Sequence, residues 1–328
     1  MRRMVSCAST LGAGTILGAL HWGSAPSAGM AFAAAGVAAT APAWLLAGSV
    51  VRRDRELAEL RRVAETVQRA LLRPVPRRVG DLRADVRYLA ADARATVGGD
   101  LYDVLDTPYG TRLIIGDVSG KGLAAVARAA DVLGAFRELA RHEPSLSGVA
   151  VRLDALVRAR PADDEGFVTA LLMGLPSGDG PAEIVYCGHP PPLLLRDGTA
   201  TFPVSLAPAP PLGLLDLADG WCAAEPLPVR PGDRLLFYTD GVIEARDAAG
   251  RDYPLAQRAA DLMRRDADTC LGPFLERLED DLLGHTGGRL DDDAALLLVE
   301  VDRLGRLGPV AALPELPELR DHVLGDRQ

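Results

Sequence analysis

The chain has 328 residues, a net charge of −9 and 48% hydrophobic side chains, enough for one large or two small packed domains and too apolar for a disordered chain. The acidic balance excludes a nucleic-acid binder driven by bulk electrostatics, because such binding neutralises phosphates with basic side chains. The four cysteines, Cys7, Cys187, Cys222 and Cys270, show no Cys-x-x-Cys spacing, which argues against a zinc or redox motif and fits a reducing compartment.

Between Met4 and Val51 the only ionisable side chains are Cys7 and His21, with Arg2 and Arg3 before the stretch and "RRDR" after it. A helix needs about 20 apolar residues to cross a bilayer. The stretch therefore predicts two transmembrane helices, about 5–22 and 28–51. The first also fits a signal peptide, with "APSA" as its cleavage site. Under either reading the arginines that follow place the rest of the chain in the cytoplasm, at the cell membrane.

From Arg52 to Pro76 a juxtamembrane linker places Leu57, Leu60, Ala64, Val67 and Leu71 on one helical stripe, ended by Pro74 and Pro76. Two uses are open for it, dimerisation or packing onto its own domain. Beyond residue 77, the apolar runs "TRLIIGDV", "FVTALLMGL", "AEIVYCG", "PLLLRDG", "DRLLFYTDG" and "AALLLVEV" predict strands. Two helix pairs interrupt them, "GLAAVARAADVLGAFRELARH" with "LSGVAVRLDALVRA", and "PLAQRAADLMRRD" with "LGPFLERLEDDLLGH". Strands and helices grouped in this way predict an α+β layered domain over 77–302. The proline-interrupted tail, 303–328, predicts nothing specific.

The segment "IIGDVSGKG" contains Lys121, the chain's only lysine. It is not a phosphate-binding P-loop, since three residues and not four separate Gly116 from Gly120, and Gly122 stands where a hydroxyl is needed. Lys121 is expected to be a solvated loop charge. Asp117 is the informative residue, a carboxylate at the end of an apolar run. The pattern recurs at Asp100 in "VGGDLYD", at Asp240 in "LLFYTDG" and at Asp291 to Asp293 in "LDDDAALLLV". Carboxylates converging from several strand ends can hold hard divalent cations, which prefer oxygen ligands.

Taken in order, "VGGDLYD", "GDVSGKGLAA", "FVTALL", "YCGHPPPLLL", "PLG", "PGDRLLFYTDGVIEA" and "DDDAALLLV" resemble the SpoIIE branch of the type-2C-like (PPM) serine/threonine protein phosphatases. The resemblance spans about residues 65–302 and implies a sandwich of two mainly antiparallel β-sheets flanked by helix pairs. It implies two Mn²⁺ or Mg²⁺ ions bridged by Asp117, with the Val118 carbonyl facing one of them. Asp100 would assist at the first ion and Asp240 and Asp292 would complete the second, with Asp293 in reserve. It further implies hydrolysis by a metal-bridging hydroxide, without a phosphoenzyme.

The phosphorylated partner protein implied is an anti-sigma-factor antagonist in a partner-switching pathway. The alternative is a catalytically silent regulator that binds the phosphoprotein. A small-molecule phosphodiesterase would use similar metal chemistry but has no sequence support. The eukaryotic branch carries a histidine two positions after the bridging aspartate; here Ser119 stands there, and a serine hydroxyl is a poor general acid. His189 is expected to orient a loop, and Thr169 and Thr239 to support the strands and hydrogen-bond around the ligands.

Overall fold

A computed structural model describes residues 70–302 apart from 92–97, 160–165, 178–179, 206 and 266–269, and before residue 70 only 49, 52, 59, 63 and 66–68. Met1–Val63 and Ala64–Gln328 form separate units. The few described positions of the first unit are helical. Among the described residues no helix is long and apolar enough to cross a membrane. The two expected membrane segments lie outside the described residues, Ser49 apart, as does the tail beyond residue 302.

The second unit contains two antiparallel sheets. One is ordered β1 (Arg78–Val79), β2 (Leu82–Leu89), β11 (Ala294–Val301), β10 (Arg234–Tyr238), β7 (Leu193–Arg196) and β8 (Thr199–Thr201). The other is ordered β3 (Leu101–Thr107), β4 (Gly110–Val118), β5 (Val168–Leu175), β6 (Ala182–Cys187) and β9 (Glu225–Leu227). Helices α1 (Leu123–His142) and α2 (Leu146–Arg158) pack on β3 to β6. A single turn, α3 (Asp240–Ile243), follows β10, while α4 (Leu255–Arg265) and α5 (Leu271–Thr286) pack on the first sheet.

Side-chain alternation explains the layering. Along β11, Ala295, Leu297, Val299 and Val301 join the core between the sheets, while Ala294, Leu296 and Leu298 join the core beneath α4 and α5. A strand buried on both faces has no polar positions to spare, so it reads as a continuous apolar run. β10 divides in the same way, Leu235 and Phe237 to one side, Leu236 and Tyr238 to the other. Helix α2 starts where the Ser145 side chain accepts the Gly148 amide at 3.2 Å, an N-cap that satisfies one of the free amides of the first turn.

The end of the linker helix packs on this unit. Leu71 lies against Val126 of α1, Leu72 enters the core, and Arg137 of α1 donates to the Leu71 carbonyl at 3.1 Å. Val67 stays exposed.

Candidate metal centre

Antiparallel register builds the site. The β3–β4 ladder pairs Leu101 with Gly116, so one step further Asp100 stands opposite Asp117. The next step is held by the Val118 amide, which donates to the Gly99 carbonyl at 3.3 Å. A Cβ on Gly99 would stand 2.8 Å from the Val118 carbonyl oxygen, so only glycine lets these backbones approach. In the other sheet the β10–β11 ladder pairs Tyr238 with Leu296. It continues through the Thr239 amide, which donates to Ala295 at 3.2 Å, and delivers Asp240 as the first residue of α3.

Carboxylate oxygens of Asp100, Asp117 and Asp240 lie within 4.8 Å of one another. Asp100 is buried, and its Oδ2 accepts the Thr239 hydroxyl at 2.9 Å. Burial and the Asp117 charge hold its carboxyl well above the usual range. Burial, then Asp240 and Asp292, push Asp117 up to about 7. Asp240 is raised by burial and by Asp292. Carboxylates crowded out of water in this way resist ionising together, and a divalent cation relieves both penalties. All donors are oxygen, so the set suits Mg²⁺ or Mn²⁺ and not a thiolate-preferring metal.

The aspartate triplet divides sharply. Asp293 is buried and fully used: Oδ2 accepts Tyr88 Oη at 2.6 Å and the Gly98 amide at 2.7 Å, and Oδ1 accepts the Ala91 amide at 2.7 Å. That carboxylate ties β2 to the segment before β3. Asp292 keeps 43% of its side-chain surface and is near enough to raise Asp117 and Asp240. Asp291 is exposed.

Lys121 departs from expectation. It is not a free solvated charge, because its Nζ lies 2.6 Å from Asp292 Oδ2. The reason is local backbone: Gly120 and Gly122 adopt φ of 98° and 82°, which turns the loop after β4 back over the carboxylates. Ser119 is committed elsewhere, since its Oγ accepts the Phe167 amide at 2.9 Å and its amide donates to the Phe167 carbonyl at 2.9 Å.

Behind Asp117 runs a buried relay. His189 Nε2 lies 3.0 Å from the Tyr238 carbonyl, which can only accept, so the proton sits on Nε2. Nδ1 then accepts the Thr169 hydroxyl at 3.0 Å, and Thr169 Oγ1 in turn accepts the Asp117 amide at 3.3 Å. Burial pushes His189 down to about 4, which keeps the ring neutral. His189 thus links the two sheets and orients Asp117 through Thr169.

Solved structures share this architecture. The RsbU and RsbW domains of Rv1364c from Mycobacterium tuberculosis are 27% identical with a TM-score of 0.58, over 70% of this chain and 61% of that one. The SiaA-PP2C domain of Pseudomonas aeruginosa is 19% identical with a TM-score of 0.60, over 78% of this chain and 100% of that one. The PP2C phosphatase domain of SpoIIE from Bacillus subtilis, with a fragment of its regulatory domain, is 17% identical with a TM-score of 0.51, over 68% and 64%. The chain therefore spans less than two thirds of the mycobacterial and Bacillus chains that it matches.

Two antiparallel sheets with a carboxylate cluster at the strand ends are what this chain holds, and its fold is that of the SiaA and SpoIIE PP2C domains. Residues 107–302 match the family model of Stage II sporulation protein E (SpoIIE). The chain belongs to the SpoIIE family. Asp117, Asp240 and Asp292 lie within the matched residues; Asp100 precedes them and rests on the β3–β4 register.

Proposed function

We propose that this chain is a metal-dependent phosphatase that hydrolyses phosphoserine or phosphothreonine on a partner protein. The carrying observation is the convergence of Asp100, Asp117 and Asp240 within 4.8 Å, with Asp292 beside them. Asp117 faces Asp100 across the β3–β4 register and feels the charges of Asp240 and Asp292, so it would be the carboxylate shared by the two halves of the site. Thr239 holds the Asp100 carboxyl group, and Thr169, backed by His189, holds the Asp117 backbone, so the frame of both aspartates is set before any ligand arrives. Asp240 and Asp292 come from the other sheet and complete the second half. Two divalent cations held by these carboxylates would supply acidified water for attack on phosphorus and positive charge for the phosphoryl oxygens.

The substrate we favour is an anti-sigma-factor antagonist in a partner-switching pathway. The sequence resemblance suggests it, and the mycobacterial relative, whose RsbU domain shares a chain with an RsbW domain, supports it. We further propose that residues 5–22 and 28–51 anchor the chain in the cell membrane, with the phosphatase domain in the cytoplasm and the linker helix available for self-association.

The decisive experiment measures hydrolysis of a generic phosphate ester and of phosphoprotein by the full chain, with Mn²⁺ and with chelator. Metal-dependent turnover, lost about 100-fold or more in Asp117→Asn, supports the proposal. A folded wild-type chain that binds phosphoprotein without turnover would make it a silent binder.

A further inference from the structure

The Lys121 ammonium is 2.6 Å from Asp292, and each side chain keeps nearly half its surface, 46% and 43%. All other basic side chains in the sequence are arginine or histidine. Asp292 is also the carboxylate that bears on both Asp117 and Asp240, and Lys121 opposes it at Asp240. A positive charge therefore sits on a half-exposed carboxylate beside the cluster, at the end of a flexible four-carbon stem. A carboxylate that completes a divalent site cannot keep this ion pair undisturbed.

We propose that Lys121 is a built-in counter-ion of the metal centre, holding Asp292 until a divalent cation displaces it and thereby setting the cation concentration at which the site fills. This rests on the metal-centre reading above. The sign of one substitution decides between roles. A lysine that merely orients Asp292 would weaken cation binding when removed, whereas a competitor would strengthen it. The ammonium also repels an incoming dication, which acts in the same direction as competition.

The test is calorimetric titration of Mn²⁺ into the chelator-treated full-length chain, as wild type, Lys121→Met and Lys121→Arg. Lys121→Met should bind Mn²⁺ about fivefold more tightly at low salt, the upper range for a half-exposed pair. Lys121→Arg, which keeps the charge, should bind no more tightly than wild type. The gap should narrow in concentrated NaCl, where the screening length falls to about 3 Å. As a second readout, metal-free Lys121→Met should melt below wild type while the Mn²⁺-loaded forms melt together. Unchanged or weaker Mn²⁺ binding by Lys121→Met overturns the counter-ion and leaves the metal centre standing. Failure of every form, wild type included, to take up Mn²⁺ overturns the metal centre and the counter-ion with it.

Discussion

The Thr239 hydroxyl donates to Asp100 at 2.9 Å while accepting the Ala295 amide at 2.9 Å, so one side chain closes β10 onto β11 and fixes a carboxylate of the opposite sheet. Thr239→Val removes both bonds at nearly constant volume. It leaves a buried carboxylate without its donor and a buried amide without its acceptor, which together cost about 2–4 kcal/mol. Thr239→Ser keeps both oxygen contacts and should lose less than about 1 kcal/mol, chiefly one methyl group. Urea unfolding of the metal-free variants checks the difference. Equal stability of the valine and serine variants would show that the hydroxyl is not what matters.

Asp117 gives the metal-free protein a pH dependence of definite sign. Its folded value is raised from 3.8 to about 7, first by burial and then by Asp240 and Asp292. A raised value means that the native state holds the proton more tightly than the unfolded chain. The favourable contribution is complete below pH 4 and is lost as pH rises to about 7. Asp117→Asn has no such proton to lose. In chelator, its melting temperature should therefore exceed that of wild type at pH 8, with the gap closing towards pH 4. Saturating Mn²⁺ should reverse the order at pH 8, since the cation stabilises only a chain that binds it. A gap independent of pH would remove Asp117 from the crowded cluster.

Much of this arrangement is legible in the sequence, and the exceptions have physical causes. Helices α1, α2, α4 and α5 and strands β4 to β7, β10 and β11 stand out because their apolar residues cluster at a clear period or in dense runs. β2 hides behind charge: Leu82, Ala84, Val86 and Tyr88 alternate with Arg83, Asp85 and Arg87, a period-two signal without a hydrophobic run. β3 mixes two aspartates into its seven residues, and β1, β8 and β9 are two- or three-residue edges too short to carry a pattern. Asp100, Asp117 and Asp240 are recognisable because each ends or begins an apolar segment. Long-range pairings leave no such trace. Nothing near Lys121 announces Asp292, and nothing near Cys222 announces that its thiol lies 4.0 Å from the Ser147 carbonyl.

His189 should carry part of the acid sensitivity of the fold. Burial lowers it from 6.5 to about 4, so between those values the unfolded chain takes up a proton that the native state refuses. Stability from this residue is complete above pH 6.5 and is lost as pH falls through 4, by about 3 kcal/mol in all. Glutamine can donate to the Tyr238 carbonyl and accept from Thr169 without titrating. His189→Gln should therefore keep most neutral-pH stability and flatten the loss between pH 6.5 and 4. Unfolding free energies of both proteins across that range give the comparison, and parallel curves would contradict a buried neutral ring.

The adjacent aspartates Asp292 and Asp293 provide the sharpest separation of roles. Asp293 accepts three hydrogen bonds from Tyr88, Ala91 and Gly98. In Asp293→Asn one oxygen becomes an amine that faces an existing donor, so a buried bond turns into a repulsion. The expected loss is about 2–4 kcal/mol in urea unfolding. Mn²⁺ affinity should change less in whatever fraction stays folded than in Asp292→Asn, because the Asp293 oxygens are taken up by Tyr88, Ala91 and Gly98 and only its charge reaches Asp100. Asp292 is half exposed and bonded to Lys121 alone among side chains of the described residues, so Asp292→Asn should cost no more than about 1 kcal/mol. The cost appears instead in the metal: Mn²⁺ binding at the Asp240 side should weaken at least tenfold, because a charged oxygen ligand is replaced by a neutral one. Unfolding and Mn²⁺ titration on the same two variants should thus give opposite rankings. A loss of Mn²⁺ affinity confined to Asp293→Asn would transfer the ligand role to Asp293.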